Sequence, residues 1–297
     1  MIECSIIIPY YQRYDLLINC LNSFLNQTKK EDLEIIIVDD GSDIVRDKEL
    51  EKYKKELNIS YEYMHRDSTS GSPSRVRNKG FSLSKGRYIV FLDCDMIVPK
   101  DFVQQVIGFF EENSDISHIL QIGFRNNLKA SCNTAKLEEI KHQHYSVDIR
   151  EKVLNYYKCN MQDLKTKWLL AWSHTMCMKR DTINKFGCFD EEFSGWGLED
   201  TELAYRYDKQ GGRILHNPKI TAFHQWHKSS YLAKYTGDWR KNYEKFLKKY
   251  NNKEVKKLGE LSYCLNEKEI VQSGISAMFL MVMYEEVVKV LHEENLV

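Results

Sequence analysis

Short apolar runs alternate with amphipathic stretches along the first half of the chain. CSIIIPYY, LEIIIVDDGSD, ISYEYMH and RYIVFLDCD predict four strands, and the apolar runs of the first, second and fourth indicate buried ones. Helices are predicted between them for RYDLLINCLNSFLNQ, RDKELEKYKKEL and Pro73 to Lys85, and after the last strand for KDFVQQVIGFFEE. Strands separated by helices imply right-handed βαβ units. We therefore expect an α/β protein with a Rossmann-like, mostly parallel central sheet flanked by helices.

The chain divides into four stretches of different character. Residues 1–125 form a first half, residues 126–165 a polar insertion that is helical or mobile, and residues 166–228 a second half. Residues 229–297 predict a helical C-terminal extension, in which the lysines of Lys241 to Lys257 form a solvated face. Its segment VQSGISAMFLMVMYEEVVKVL is apolar around much of a helix and must be covered. We expect it to pack on the core, with a homodimer second and a membrane surface third in order of preference.

Composition narrows the class of protein. The 297 residues include 43 Lys plus Arg and 43 Asp plus Glu, so no global field attracts nucleic acid. The eight cysteines contain no C-x-x-C pair, which argues against a zinc ribbon or a disulfide scaffold and indicates reduced thiols. No signal peptide precedes the first strand, and no apolar run reaches the roughly 20 residues of a membrane span. We expect a protein without a transmembrane anchor in the cytoplasm, with the inner face of the membrane as a second location.

Two carboxylates follow the fourth predicted strand. Asp93 and Asp95 flank Cys94 at the edge of a core, where an unpaired charge is costly and a cation should meet it. Residues two apart share a face, and oxygen ligands suit a hard divalent cation that carries a diphosphate. An isolated D-x-D would more often be a turn with helix-capping aspartates. Ligands of parallel sheets lie beyond the carboxyl ends of strands, where Pro9-Tyr10 and Asp39-Asp40 also stand.

Other strings offer binding or catalytic groups, each with a structural alternative. Asp39-Asp40 could accept hydrogen bonds from a nucleobase or ribose, or form a turn before Gly41. Arg77 in SGSPSRVRNKG could neutralise Asp93 or bind a phosphate, or be surface charge.

The second half contributes an aromatic residue, two carboxylates and two histidines. In GWGLED, Trp196 could offer an aromatic face to a sugar, and Glu199-Asp200 at a helix start could supply a general base. The alternatives are a core tryptophan and a helix cap. In FHQWH, His224 as a third metal ligand would shift the preference from Mg²⁺ toward Mn²⁺, although a lone histidine is more often structural.

Together the strings resemble the inverting nucleotide-sugar glycosyltransferases of the GT-A fold, family 2. The matching strings are SIIIPYYQR, IIIVDDGS, RVRNKG, GRYIVFLDCDMIVP, GCFDEEFSGWGLEDTEL and FHQWH. They are most similar to bacterial galactosyl- and hexosaminyltransferases of the chondroitin-polymerase type, with a second unit that resembles the β-1,4-galactosyltransferases. The resemblance covers Ile2 to Lys228 and leaves the tail unassigned.

This resemblance implies metal-dependent transfer of a hexose or N-acetylhexosamine from a UDP-sugar to an acceptor hydroxyl, with inversion, in bacterial polysaccharide biosynthesis. The acceptor would be a glycan, glycolipid, glycoprotein or small molecule. Residues 1–125 would bind the nucleotide sugar, and residues 166–228 would bind the acceptor and carry out the reaction.

The resemblance also implies residue roles. Asp200 would be the general base with Glu199 beside it, Asp95 and His224 would bind Mn²⁺ or Mg²⁺, and Trp196 and Gly197 would bind the acceptor. The implied donor-binding residues are Pro9, Tyr10, Arg13, Asp39, Asp40, Arg77, Asn78, Asp93, Cys94 and His227. Where many relatives have Gly-Gly-Asn, this chain has AWSHTM, which leaves the donor sugar open.

Three other classes compete with this interpretation. A non-catalytic carbohydrate-binding or scaffold protein would not need the D-x-D, Glu-Asp and histidine set. FLDCDMIV also resembles the box of haloacid-dehalogenase-type phosphatases, but those enzymes carry it on the first strand. A sugar nucleotidyltransferase needs a glycine-rich loop where Pro9-Tyr10-Tyr11-Gln12 stands.

Overall fold

Two sheets and the α-helices that flank them organise the residues that the structure describes. This structure is a computed structural model, and it describes residues 2–66, 71–131, 139–140, 142–228, 235–256 and 258. The strands are β1 (Cys4–Tyr10), β2 (Leu33–Asp39), β3 (Ile59–Tyr63), β4 (Tyr88–Leu92), β5 (Met96–Ile97), β6 (Ile119–Ile122), β7 (Arg125–Leu128), β8 (Tyr145–Ser146), β9 (Thr175–Lys179), β10 (Arg213–His216) and β11 (Ala222–His224). The helices are α1 (Tyr14–Phe24), α2 (Glu51–Lys54), α3 (Pro73–Leu83), α4 (Phe102–Glu112), α5 (Ile149–Tyr157), α6 (Arg180–Phe186), α7 (Glu199–Lys209) and α8 (Arg240–Tyr250).

The large sheet has seven strands in the order β10-β6-β9-β4-β1-β2-β3. Strand β1 pairs in parallel with β2 and β4, β2 with β3, and β10 with β6, whereas β9 runs antiparallel to both β4 and β6. The predicted mostly parallel sheet is therefore confirmed, with β9 as its reversed strand. Because β9 lies between β4 and β6, strands from both halves of the chain alternate within one sheet.

Helices cover both faces of this sheet. Alternate residues of a strand point to opposite faces, so Ile7 and Ile36 belong to one apolar cluster and Ile6 and Ile35 to the other. Helices α3, α7 and α8 contribute to the first cluster, and α1 and α4 to the second. Both faces are covered, and for this reason the apolar runs of the sequence are continuous rather than alternating.

A second, four-stranded sheet has the order β5-β11-β7-β8. Strand β11 pairs antiparallel with β5, with His224 opposite Met96, and parallel with β7. The sequence pattern did not predict this sheet, whose strands span two to four residues. It places the end of β11 beside the residues that follow β4.

The observed elements also refine the predicted ones. The charged helix expected for RDKELEKYKKEL consists only of a 3₁₀ turn, Lys48–Leu50, and the short α2. Within 126–165, which we expected to be a polar insertion, the described residues form most of β7, β8 and α5, and they bury Asp148 and Arg150. The domain boundaries proposed from the sequence stay a prediction.

The C-terminal extension is described only in part. Helix α8 buries Asn242, Tyr243 and Phe246, and its lysines lie mostly on the opposite, exposed side. The apolar segment after residue 270 lies outside the described residues, as do the homodimer and membrane contacts predicted for it. Among the helices that are described, none is long and apolar enough to cross a bilayer. The cysteines within the described ranges are free thiols.

Candidate active site

Asp95, His224 and His227 form a compact cluster of possible metal ligands. The Nε2 atoms of His224 and His227 lie 3.5 and 3.2 Å from Oδ2 of Asp95, and one ligand atom from each of the three residues lies within 4.8 Å of the others. The antiparallel pairing of β11 with β5 brings them together, because it sets His224 opposite the residue after Asp95. The structure thus joins two side chains that are far apart in sequence.

Asp95 has the environment of a cation ligand. Its carboxylate is 7% exposed, and among the described residues Oδ1 has no hydrogen-bond partner. Arg13 donates from Nη1 to Oδ2 at 2.9 Å. Burial acts to raise the pKa of Asp95, but the hydrogen bonds of His224 and His227 and the charge of Arg13 hold it well below its usual range. An ionised carboxylate with a buried, unsatisfied oxygen fits a divalent cation.

His227 presents the nitrogen that a metal needs. Its Nδ1 lies 3.2 Å from the carbonyl oxygen of Lys228, and its Nε2 lies 3.1 Å from Nη1 of Arg13, which can only donate. With its proton on Nδ1, His227 satisfies the contact to Lys228 and presents the Nε2 lone pair to a cation, whereas a proton on Nε2 would donate to Asp95. The family resemblance predicted that His227 binds the donor. In the structure, His227 is the third member of the Asp95 cluster.

Arg77 connects the two halves of the site. Its buried guanidinium donates from Nη2 to Asp93 at 3.2 Å and from Nη1 to Glu199 at 3.1 Å. Because β4 ends at Leu92, Asp93 and Asp95 lie in a turn and have different partners, rather than sharing one strand face as we expected. The cation that meets Asp93 is Arg77, and the side chain that meets Asp95 is Arg13.

Glu199 and Asp200 occupy the first turn of α7. Asp200 is half-buried and accepts hydrogen bonds from the backbone amides of Ser173 at 3.1 Å and Thr201 at 2.8 Å. Glu199 is buried and accepts from Arg77 and from the amide of Gly197 at 3.1 Å. Burial, and secondly the neighbouring charge of Asp200, raise the pKa of Glu199 to about 7 against the opposing charge of Arg77. Burial likewise raises the pKa of Asp200.

The loop before α7 is held in place by the C-terminal segment. Gly195, Gly197 and Leu198 have φ of +72, +98 and +71°, a region that glycine adopts without strain and leucine does not. Asn242 of α8 donates to the carbonyl oxygens of Ser194 at 3.0 Å and Gly197 at 2.7 Å. This support fixes the backbone on either side of the half-exposed Trp196.

A cavity of about 630 Å³ lies beside these residues. Three of the five tryptophans of the chain line it, Trp172, Trp196 and Trp239. Its wall also includes the predicted site residues Arg77, Asp93, Gly197, Glu199 and Asp200. Its volume and aromatic lining are typical of a small-molecule or sugar site.

The ends of β1 and β2 form a neighbouring polar region. Asp40 is half-buried, and its Oδ2 accepts from the amide of Ser72 at 3.3 Å and lies 3.9 Å from Nη1 of Arg66. Asp39 is fully buried and accepts from the amide of Ser42 at 2.8 Å and from the hydroxyl of Tyr61. Asp39 therefore supports the turn, and Asp40 is the more accessible carboxylate.

Several predicted donor-binding residues also have structural contacts. The amide group of Asn78 bonds the backbone of Phe189 twice, at 2.8 and 3.0 Å. Cys94 is 7% exposed and packs in the apolar core, where burial raises the pKa of its thiol. Tyr10 is 2% exposed, and Pro9 pairs with Val38 in the sheet. Their roles in donor binding stay predictions.

Some residues of the site were missed by sequence reasoning. Ser173 bonds Asp200, and its signal was the unusual AWSHTM string. Arg66 stacks over Tyr11 with its guanidinium carbon 3.7 Å from the ring centroid, and Tyr11 directly follows the predicted Tyr10. Arg125 lines the cavity, and nothing in its local sequence distinguished it.

Comparisons with known proteins agree with this fold. Residues 5–186 match glycosyl transferase family 2, and residues 159–229 match the N-terminal domain of galactosyltransferase. The chondroitin synthase of Escherichia coli is 26% identical over 74% of this chain and 34% of its own length. The hyaluronan synthase of Pasteurella multocida is 28% identical over 74% of this chain and 24% of its own length. The chain thus spans about a third or less of the length of these relatives.

A shorter match and a solved structure extend the comparison. The poly(ribitol-phosphate) beta-glucosyltransferase of Bacillus spizizenii is 39% identical over 39% of this chain and 18% of its own length. The crystal structure of S. aureus TarS 1-349 in complex with UDP-GlcNAc superposes with a TM-score of 0.57 and 19% identity, covering 76% of this chain and 60% of that one. At this identity the similarity shows the fold.

The chain belongs to glycosyl transferase family 2. The predicted class of enzyme, a glycosyltransferase, and the predicted GT-A fold are therefore confirmed. The family match removes the haloacid-dehalogenase-type phosphatase and the nucleotidyltransferase as alternatives.

Proposed function

We propose that this protein transfers a hexose or N-acetylhexosamine from a UDP-sugar to a hydroxyl of a carbohydrate-type acceptor, with inversion and with a divalent metal ion. The observation that carries this proposal is the Asp95–His224–His227 cluster close to a tryptophan-lined cavity that holds Glu199 and Asp200. The UDP-GlcNAc complex of the S. aureus protein supports a UDP-sugar donor.

The metal ion would be held by Asp95, His224 and His227. Two imidazole nitrogens and one carboxylate oxygen suit Mn²⁺ better than Mg²⁺, which prefers oxygen alone. When bound, the ion supplies positive charge that stabilises the leaving diphosphate.

The polar groups near the strand ends would bind the nucleotide. Asp40 would accept hydrogen bonds from the uracil, held in place by the turn that Asp39 supports. Arg13, now bonded to Asp95, is close enough to the cluster to reach a diphosphate oxygen. Arg77 would keep Asp93 oriented toward the ribose.

Asp200 is the better candidate for the general base. Its carboxylate is half-buried at the cavity, whereas that of Glu199 is buried and engaged by Arg77. Asp200 would take the proton of the acceptor hydroxyl as its oxygen attacks the anomeric carbon from the face opposite the diphosphate. The bond from the anomeric carbon to the diphosphate breaks, and UDP leaves with the electron pair. An α-linked donor then gives a β-glycoside.

Titration calorimetry with Mn²⁺ and UDP tests the first part of this proposal. We expect UDP to bind at least about tenfold more weakly when a chelator removes the metal ion. Asp95→Asn should weaken Mn²⁺ binding by at least the same factor, because even the mutation of a residue that only hydrogen-bonds a metal ligand costs about tenfold in metal affinity. Asp43→Asn, at an exposed carboxylate, is the matched control. Wild-type Mn²⁺ affinity in Asp95→Asn would remove the proposed metal site.

Hydrolysis of a panel of UDP-sugars in Mn²⁺ tests the second part without knowledge of the acceptor. Asp200→Asn should keep Mn²⁺-dependent UDP binding and lose turnover by at least about 10²-fold, the usual scale of a general base. Retained turnover in that variant contradicts its role. Binding of UDP without turnover of any donor by the wild-type chain would favour a non-catalytic carbohydrate-binding protein.

A further inference from the structure

Two cationic side chains lie on one wall of the cavity. Arg125, at the start of β7, and Lys152, in α5, both line the cavity. Among the described residues, neither side chain forms a hydrogen bond or an ion pair. The cavity-lining carboxylates Glu199 and Asp200 lie on a different element, α7.

The nearest acid on the same elements is already neutralised. Oδ2 of Asp148 accepts from Nη2 of Arg150 at 2.6 Å and from the backbone amide of Arg125 at 2.9 Å. Asp148 and Arg150 are 1% and 0% exposed, so this pair satisfies itself inside the protein. Asp148 acts on the charge of Arg125 only at a distance, because its carboxylate is bonded to Arg150 and to the backbone amide of Arg125 rather than to the guanidinium.

The guanidinium of Arg125 is poorly solvated for an unpaired charge. It is half-buried, and burial lowers its pKa although the carboxylates of Asp95 and Asp93 act in the opposite direction. An arginine is charged under all ordinary conditions, so it must find an anion or remain an uncompensated cost. Carboxylates and phosphates match its planar fork of donors.

We propose that the cavity binds an acceptor chain that carries an anionic group, a uronate carboxylate or a phosphodiester, and that Arg125 and Lys152 form the subsite for this group. The inference rests on the proposed function, because it assigns the cavity to the acceptor. The half-exposed Trp172 and Trp196 offer rings on which sugar units of that chain stack. Arg125 contributes the directional contact, and the exposed Lys152 contributes charge at the cavity rim.

Calorimetry on the full chain with Mn²⁺ and UDP tests this subsite with three probes. They are a hyaluronan oligosaccharide, the same oligosaccharide with its carboxyl groups reduced to alcohols, and a ribitol-phosphate oligomer. We expect at least one anionic probe to bind about tenfold or more tightly than the uncharged one, since one charged hydrogen-bonded contact is worth about that factor. The two anionic probes distinguish a carboxylate from a phosphodiester ligand.

Variants then locate the preference. Arg125→Gln should abolish most of it, Arg125→Lys should keep part of it, and Lys152→Gln should reduce it by a few-fold, as expected for an exposed charge. Lys129→Gln, an exposed lysine that follows β7 outside the cavity lining, should leave it unchanged. Thermal melting of each variant shows whether it folds.

Three outcomes overturn the proposal. They are equal affinity of the wild-type chain for charged and uncharged oligosaccharide, no binding of either anionic probe, and weakened UDP binding in Arg125→Gln with the anion preference intact. Weakened UDP binding with an intact anion preference would mean that Arg125 binds the donor nucleotide rather than the acceptor. Failure of the proposed function is separate, because it shows as missing Mn²⁺-dependent UDP binding or missing donor hydrolysis.

Discussion

Replacing Arg150 by methionine should destabilise the fold more than any surface substitution. Arg150 donates to both oxygens of Asp148, at 3.0 and 2.6 Å, and to the carbonyl oxygen of Leu170 at 2.6 Å. Its guanidinium carbon lies 4.4 and 4.2 Å from the ring centroids of Phe124 and Trp172. The substitution leaves the carboxylate of Asp148 buried with backbone amides as its remaining donors.

The expected loss in the free energy of unfolding is about 3–5 kcal/mol, the cost of breaking a buried ion pair from one side. That is a large part of the roughly 5–15 kcal/mol that stabilises an ordinary domain. Replacing both partners, as in Asp148→Asn with Arg150→Met, removes the stranded charge and keeps a side-chain oxygen for the backbone amides, so the double variant should be at least about 1 kcal/mol more stable than Arg150→Met alone.

Urea unfolding followed by circular dichroism measures these differences by linear extrapolation, with an unchanged slope as the test that the unfolded states are comparable. Lys152→Met, at an exposed position of the same helix, is the control and should stay within about 0.5 kcal/mol of the wild type. A loss below about 1 kcal/mol in Arg150→Met, or a double variant no more stable than the single one, would refute the assignment of this pair.

Two further predictions concern Glu199 and Gly80. Because the pKa of Glu199 is raised to about 7, the folded state binds its proton more tightly than the unfolded state, so the stability of the wild type relative to Glu199→Gln should fall as pH rises from about 4.5 to 7. Chemical denaturation at both ends of that range measures it, and a rise would mean that Arg77 keeps the carboxylate ionised. In Gly80→Ala, the new methyl group would overlap Cγ2 of the buried Ile7, so we expect a loss of about 1–3 kcal/mol. Thermal melting checks it against Ser82→Ala on the exposed side of α3, and equal melting temperatures would contradict the close packing.

Strands β1, β2 and β4 of the large sheet could be predicted because they are buried on both faces and leave continuous apolar runs. The observed bounds of β1 to β4 and of α1, α3 and α4 differ from the predicted ones by a few residues. The antiparallel strand β9 was not recognised, because its sequence TMCMK follows KWLLAWSH without a turn signal or a change of pattern that would mark the start of a strand. The small sheet was missed since strands of two or three residues, such as β5 and β11, have no detectable period.

The candidate site was predictable only where its residues follow strands or belong to recognisable motifs. Asp95, Asp93 and Asp40 could be identified in this way. The position of His224 opposite Met96 depends on a pairing between residues more than a hundred positions apart, and local sequence does not encode it. The same holds for Arg150, which lies in a segment whose polarity indicates a solvated surface although the side chain is buried.

The position of β9 between β4 and β6 restricts how this protein can be recombined with its relatives. A chimera that exchanges the sequence after residue 165 would also exchange β9, which pairs with both β4 and β6. It would exchange His224 and Glu199, the carboxylate bonded to Arg77, as well. Donor and acceptor preferences therefore cannot be grafted as separate blocks at that boundary. Exchanges confined to exposed side chains of the cavity, such as Lys152, leave the sheet order intact and are the safer route to altered specificity.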